Sequence, residues 1–313
     1  MNLFGKIGTR RRPLEVRGYS SAVIKRLRNY WQNRTNRRRF LWGSLGSGFV
    51  GAGSYAYMRL WESGWLEVNR HRVPIMKAEH PLRLLHLSDL HASKAVSLGY
   101  LRRALEVGLE LNPDLICLTG DFITWKYRQY DEYSEVLRAL SKAAPTFACL
   151  GNHDGGSWAA GTMKIGAAHS LSVQRMLKKA GIRLLHNEHT LLDLAGHTIN
   201  LVGVGDLWNR ECHSQQAFAE LDDQYPTILL SHNPDTKTEL AAYPWQLMLS
   251  GHTHGGQVYL PGVGDPLAPV KDKKYVRGLH RLGDRWLHIT KGVGNLHGLR
   301  FNCRPEVSLL EIS

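Results

Sequence analysis

The chain has 313 residues, 43% of them hydrophobic, enough to bury the core of one large domain or two small ones. Its formal charge is +13, but residues 1–39 hold 12 of the 40 basic side chains and one acid, Glu15, so residues 40–313 carry only +2. A body this close to neutral argues against a nucleic-acid-binding domain, and no nucleic-acid partner is expected.

The basic N-terminus has an organisation of its own. In "AVIKRLRNYW" the apolar Val23, Ile24, Leu27, Tyr30 and Trp31 recur at helical spacing opposite Lys25, Arg26 and Arg28. The stretch reads as a basic amphipathic helix on an anionic membrane surface, or as a disordered basic arm. Residues 40–58 carry no charge; as a helix they would span roughly 28 Å, just enough for a hydrocarbon core. Arg37-Arg38-Arg39-Phe40-Leu41 ahead of a Gly-rich, weakly apolar run resembles a twin-arginine export signal. We assign 1–60 to a membrane-targeting signal or anchor, 61–81 to a linker and 82–313 to the catalytic domain. The basic block should stay cytoplasmic, which places an inner-membrane-associated enzyme with its catalytic domain outside; a cytoplasmic face is the alternative.

From residue 82 short apolar runs alternate with helical patterns. "LRLLHL" (82–87), "LICL" (115–118), "TFACL" (146–150), "TILL" (227–230) and "QLML" (246–249) read as strands. Leu98–Leu111, Tyr130–Ala143, Leu171–Ala180 and a stretch near Thr236–Ala242 read as helices. Two hairpins turn at Ala195-Gly196-His197 and Gly283-Asp284. Such an alternation with later hairpins predicts an α/β domain with mixed sheets. The cysteines Cys117, Cys149, Cys212 and Cys303 form no CxxC pair, which excludes a zinc ribbon and suggests free thiols.

The residues that follow the five strands carry the chemistry. They are Asp89 and His91 after the first, Asp121 after the second, and Asn152, His153 and Asp154 after the third. His232 follows the fourth, and His252 and His254 the fifth. An isolated His-x-His is usually a solvated loop. Five strand ends in register, each supplying oxygen or imidazole donors, instead describe a site for a borderline cation at the carboxyl edge of a sheet.

The series D-x-H, G-D, G-N-H-D, S-H-N-P, G-H-T-H resembles the calcineurin-like metallophosphoesterase superfamily over roughly residues 82–313. "GHTHGGQVYLPG" and "RFNCRPE" resemble its branch of twin-arginine-exported phosphoesterases and chlamydial-type UDP-2,3-diacylglucosamine pyrophosphatases. The resemblance implies a four-layer αββα sandwich and two divalent ions (Mn, Fe, Zn or Mg). One would be held by Asp89, His91, Asp121 and His254, the other by Asp121, Asn152, His232 and His252.

The chemistry of these residues agrees. A carboxylate such as Asp121 has two oxygens that can face two cations, and a pair of cations clamps nucleophile and phosphoryl oxygen together. His153 follows Asn152 directly and would face the substrate, stabilising charge or protonating the leaving oxygen. Asp154 is a candidate to orient an imidazole or to hold a loop. Arg300 is a candidate for a substrate phosphate or for a structural role, and Asp206 for the pocket. "WKYRQYDEY" (125–133) would form a lid or coat a helix.

The expected activity is hydrolysis of a phosphodiester or pyrophosphate bond in a membrane-associated phosphate ester, with a lipid-linked substrate such as UDP-2,3-diacylglucosamine as the alternative. A non-catalytic scaffold would be expected to lose ligands or His153, and none is missing here.

Overall fold

The two-residue alternation of these strands gives each sheet two apolar faces, and two stacked sheets give three apolar layers. The computed structural model describes residues 25–26, 42, 51–77, 79–161 and 169–313, so the basic helix and most of the uncharged run expected before residue 60 lie outside the described residues. In chain order, β1 (Glu67–Val73), β2 (Leu82–Leu87), β3 (Leu115–Thr119), β4 (Thr146–Cys149) and β5 (Arg183–Leu184) build most of one sheet. The other takes β6 (Glu188–Leu194), β7 (His197–Gly203), β8 (Thr227–Leu230), β9 (Leu247–Ser250), β10 (Gly278–Leu282) and β11 (Arg285–Ile289), and β12 (Glu306–Ile312) returns to the first. The spatial orders are β1-β12-β2-β3-β4-β5 and β10-β11-β9-β8-β7-β6. Both sheets are mixed: β2 to β5 run parallel with β12 antiparallel to β2, and β7, β8, β9 and β11 run parallel with antiparallel hairpin partners outside them.

Successive side chains of a strand point to opposite faces. Leu82 and Leu84, Leu115 and Cys117, Ile228 and Leu230, and Leu247 and Leu249 therefore fill one layer between the two sheets. The alternate residues Leu85, Leu87, Ile116 and Leu118 meet α1 (Leu98–Leu109), α2 (Tyr130–Ala143) and, beyond α3 (Ser157–Gly161), α4 (Leu171–Lys179). On the far side Val202, Leu229, Met248 and Leu287 pack beneath α5 (Ser214–Ala217) and α6 (Thr236–Glu239). The layers are helix, sheet, sheet, helix, as expected. Helix α1 starts where Ser97 caps the Tyr100 N–H at 3.2 Å. The four cysteines are free.

Besides the short β5, α3 and α5, which carried no prediction, two longer elements differ from the sequence reading. The segment 61–81, read as a linker, contributes β1, which lies parallel to β12 from Glu67↔Glu306 to Val73↔Ile312. Glu62 is buried, and its carboxylate accepts the Cys303 N–H at 2.6 Å. The catalytic unit thus begins before residue 82. Strand β12, which carried no prediction, lies between β1 and β2 and is buried along most of its length.

Candidate metal centre

Strands β2, β3 and β4 are neighbours in one sheet, β8 and β9 in the other, and β3 faces β8 across the interface. Their C-terminal loops therefore meet at one edge of the sandwich. Pairing continues past the strand ends: Asp89 N–H donates to Gly120 O at 3.0 Å, His91 N–H to Asp121 O at 2.9 Å, and Gly251 N–H to His232 O at 3.0 Å. Sharp turns follow. Asp89, His91, Asp121, His252 and His254 all have positive φ, between 48° and 68°. Non-glycine residues rarely adopt that region, and its concentration at five candidate ligands marks strain held by the surrounding fold. Glycine gives the close approach: a Cβ on Gly151 would sit 2.3 Å from Asp121 Oδ1, and one on Gly251 would sit 2.2 Å from Asp89 Oδ2.

The seven residues singled out as ligands converge and are buried. On one side His91 Nε2 lies 3.1 Å from His254 Nε2 and 3.3 Å from Asp121 Oδ2, with Asp89 Oδ1 3.4 Å from His254 Nε2. On the other, His232 Nε2 lies 3.2 Å from Asp121 Oδ2 and 3.2 Å from Asn152 Oδ1, while His252 Nδ1 lies 2.9 Å from Asn152 Oδ1 and 3.2 Å from His232 Nε2. Asp121 Oδ2 stands between the two groups. Its Oδ1 accepts the His153 N–H at 2.9 Å, and Asp89 accepts the His252 N–H, so both carboxylates are fixed in orientation.

These donors fit a cation. Two imidazole nitrogens facing each other at 3.1–3.2 Å share at most one proton, yet ligand edges of about 3.3 Å are what bonds of roughly 2.0–2.2 Å around a tetrahedral ion require. Of the other imidazole nitrogens, those of His232 and His91 have hydrogen-bond partners, whereas His252 Nε2 and His254 Nδ1 have none among the described residues. His232 Nδ1 meets Thr119 O at 2.6 Å, which leaves Nε2 free for a cation.

The electrostatics agree. Burial raises Asp89 to about 7, with Asp121 adding to the rise, and burial together with Asp121 raises Asp154 to about 8. Burial opposes ionisation of Asp121 too, but His232 and His153 hold it well below the usual carboxylate range. Burial alone would lower His232; Asp121 overrides it and lifts His232 to about 10. Burial keeps His91, at about 4, and His252 and His254, well below their usual range, neutral with lone pairs available. Crowded buried carboxylates beside neutral imidazoles are a site short of positive charge. The grouping Asp89, His91, Asp121 and His254 could hold one ion.

His153 is placed beside this centre. Its Nδ1 lies 2.7 Å from Thr124 O, which makes Nδ1 the protonated nitrogen and leaves Nε2 available, and its ring sits edge-on to Trp125 and Trp158 at 5.3 and 4.9 Å. Two weaker candidates have other roles. Asp154 orients no imidazole: it accepts the backbone N–H groups of Asp121, Phe122, Ile123 and Gly151 at 2.7–3.4 Å, tying the Asp121 loop to the Asn152 loop. Arg300 is fully buried and donates to the carbonyls of His254, Lys291, Gly292, Gly294 and Cys303, so its guanidinium cannot meet a substrate. Asp206 is buried; one oxygen accepts the Asn209 N–H at 2.8 Å and it does not line the main cavity.

Three contributors escaped the sequence reading. Thr124 Oγ1 lies 3.2 Å from His91 Nδ1, the Thr119 carbonyl holds His232, and Trp208 stands edge-on to His252 at 4.3 Å. Thr119 and Thr124 lie two and three residues from Asp121, and nearness in sequence to a ligand was the one available signal. A cavity of about 720 Å³ is lined by Arg59, Lys94, Lys126, Arg128, Trp125 and Tyr127, with no carboxylate among the described residues of its lining, and Trp125, edge-on to His153, joins it to the centre. Residues 125–129 thus wall a cavity, and α2 begins at Tyr130.

Two packed mixed sheets with this loop cluster define a metallophosphoesterase, and the comparisons agree. Residues 82–256 match the calcineurin-like phosphoesterase family, and the chain belongs to it. It is 42% identical to phosphodiesterase YaeI of Escherichia coli over 279 residues, covering 88% of this chain and 99% of that one. It is 28% identical over 277 residues to the UDP-2,3-diacylglucosamine pyrophosphatase LpxG of Chlamydia trachomatis, covering 74% and 83%. Among solved structures, the phosphopantetheinyl hydrolase PptH of Mycobacterium tuberculosis superposes with a TM-score of 0.43 at 14% identity, covering 71% of this chain and 92% of that one.

Proposed function

We propose that this metallophosphoesterase is a dinuclear enzyme that hydrolyses a phosphodiester or pyrophosphate bond in a membrane-associated substrate. The observation that carries the reading is Asp121 Oδ2, 3.3 Å from His91 Nε2 and 3.2 Å from His232 Nε2, shared by two sets of donors. Asp89, His91, Asp121 and His254 would hold one divalent ion, and Asp121, Asn152, His232 and His252 the other. Such ions supply Lewis acidity toward a phosphoryl oxygen and lower the pKa of water. Every other part of the mechanism belongs to the chain. Asp121 is kept ionised by its imidazole neighbours. His153, locked through Nδ1 on Thr124, presents Nε2 to donate a proton to the leaving oxygen or to stabilise its charge. Trp125, Trp158 and Trp208 stand against the imidazoles and keep water away from their flanks.

The rest of the substrate has a place in the adjoining cavity. Lys94, Lys126 and Arg128 make no ion pair among the described residues, so the cavity favours an anionic portion. That feature and the likeness to LpxG support UDP-2,3-diacylglucosamine as a second reading. Residues 1–60 are proposed as the membrane signal or anchor, with the catalytic domain outside the inner membrane. A metal-by-substrate panel on the full chain tests both readings, comparing a phosphomonoester, a neutral-armed phosphodiester and UDP-2,3-diacylglucosamine. Preference for the diester supports the first reading, preference for the nucleotide lipid the second, and preference for the monoester overturns both.

A further inference from the structure

Behind the catalytic edge the layer between the sheets ceases to be apolar. On β1, Glu67 and His71 face inward; on β12, Glu306 and Ser308; on β2, His86; and on β11, His288. His288 and Glu306 are 0% and 2% exposed, and His71 is half-buried on an edge strand. One donor atom from each of His71, His288 and Glu306 lies within 4.8 Å of the other two, with His288 Nε2 3.9 Å from Glu306 Oε1. His71 Nε2 and His288 Nε2 are both buried and without a hydrogen-bond partner among the described residues. An orphaned buried nitrogen is uncommon, and two on imidazoles grouped with one carboxylate call for a shared partner.

We propose that His71, His288 and Glu306 form a separate metal site, distinct from the catalytic centre, for a borderline divalent cation such as zinc. Two imidazoles and one carboxylate are a donor set zinc takes, with a fourth position left to water. Burial keeps both imidazoles neutral, as ligation demands. The surrounding hydrogen bonds allow the required tautomer. If His288 ligates through Nε2, its Nδ1–H donates to His86 Nδ1 at 2.8 Å, and His86 Nε2–H then donates to Thr119 Oγ1 at 2.8 Å. No group in that chain is left with a proton facing a proton. Charge leaves room as well. Lys291 is shared between Glu67 and Glu306 Oε2, and Glu306 Oε1, which accepts the Ser308 hydroxyl, keeps a second lone pair on the side of His288. The half-buried His71 gives an ion a way in from solvent.

Such a site would clamp the edge strand β1 and its neighbour β12 to β11 of the opposite sheet. It would also stand one relay away from the catalytic centre, because the carbonyl of Thr119 accepts from His232 Nδ1.

The test is the zinc content of full-length protein stripped with a chelator and dialysed against zinc alone. The wild type is expected to hold one tight equivalent more than His71→Ala and one more than Glu306→Gln, while both variants keep wild-type hydrolysis. Zinc should also raise the Tm of the wild type more than that of either variant. Equal zinc content in the wild type and His71→Ala overturns the site, whatever the total at the catalytic centre. Loss in His71→Ala but not in Glu306→Gln overturns it too, because the ion would then belong to another group around His71. Asp121→Asn separates the two centres: it should lose catalytic-centre metal and keep the equivalent that His71→Ala removes.

Discussion

Asp121 Oδ2 sits between two sets of donors, so a single atom change there reaches both. Asp121→Asn removes the shared charge and should bring metal content at both catalytic positions below one equivalent; elemental analysis showing two full equivalents would contradict the bridge. His153 stands edge-on to His91 at 5.0 Å, but its Nε2 makes no hydrogen bond to a candidate ligand among the described residues. His153→Ala should therefore keep the metal while losing about 10²–10⁴-fold in turnover, the range of a lost acid or charge-stabilising donor. Near-wild-type turnover on a substrate with a poor leaving group would remove it from the mechanism. His232 makes a pH statement. Burial alone would depress it, but Asp121 raises it to about 10, so the metal-free protein carries that proton at neutral pH. Ligation needs Nε2 bare, so metal binding should release a proton, and apparent affinity should climb with pH by up to about tenfold per unit until that value is passed. Titration calorimetry in two buffers of different ionisation enthalpy measures the release, and identical heats would show that His232 is already neutral.

At the scale of elements, what the sequence made legible was whatever a local pattern encodes. The strands β2, β3, β4, β8 and β9 are short apolar runs with a donor immediately after each, so their ends could be aligned from the chain alone. Helix α2 was read with its observed bounds because its apolar stripe and acidic first turn are local signals. Strand β1 was missed because "EVNRHRV" is half polar: at the sheet edge its inward positions hold Glu67, Asn69 and His71 rather than leucines. Strand β12 was missed because its partners lie hundreds of residues away, and no turn signal announces them. The same distinction separates the site residues. The seven ligand candidates were legible as types at strand ends, whereas the jobs of Asp154 and Arg300 depend on which backbone groups fold against them. Asp154 joins two loops through four backbone N–H groups. Asp154→Ala leaves these donors without an acceptor and should cost about 3 kcal/mol or more, lowering Tm by several degrees and loosening metal at Asp121 and Asn152. Asp154→Asn keeps one acceptor oxygen and should lose less. An alanine variant with wild-type Tm and metal retention would show that water replaces the carboxylate at no cost.

For the whole molecule, the question is how a near-neutral catalytic unit is joined to a strongly basic N-terminus. Residues Tyr55–Ser313 form one unit, and near its start Arg59 donates to His297 O at 3.1 Å and lines the basic cavity. Tyr57, Leu60, Trp61 and Trp65 in the same stretch are exposed. Aromatic residues of this kind are enriched at membrane–water interfaces, where an apolar body and a polar edge are both satisfied. No helix among the described residues is long and apolar enough to cross a membrane, and the triple arginine and the uncharged run lie largely outside them. The expectation therefore rests on the sequence: the basic stretch on the cytoplasmic face, residues 40–58 inserted, and the catalytic unit beyond. Replacing Arg37, Arg38 and Arg39 with lysine should abolish export while the purified enzyme stays active, because none of the three is near the metal loops in sequence. A reporter fused after residue 313 reads the side. Activity outside, lost in the lysine variant, is the expected result. Membrane-bound protein with its reporter active inside would overturn export alone and make a cytoplasmic nucleotide-lipid the leading substrate. Recovery of the full chain in the soluble cytoplasmic fraction would overturn anchor and export together.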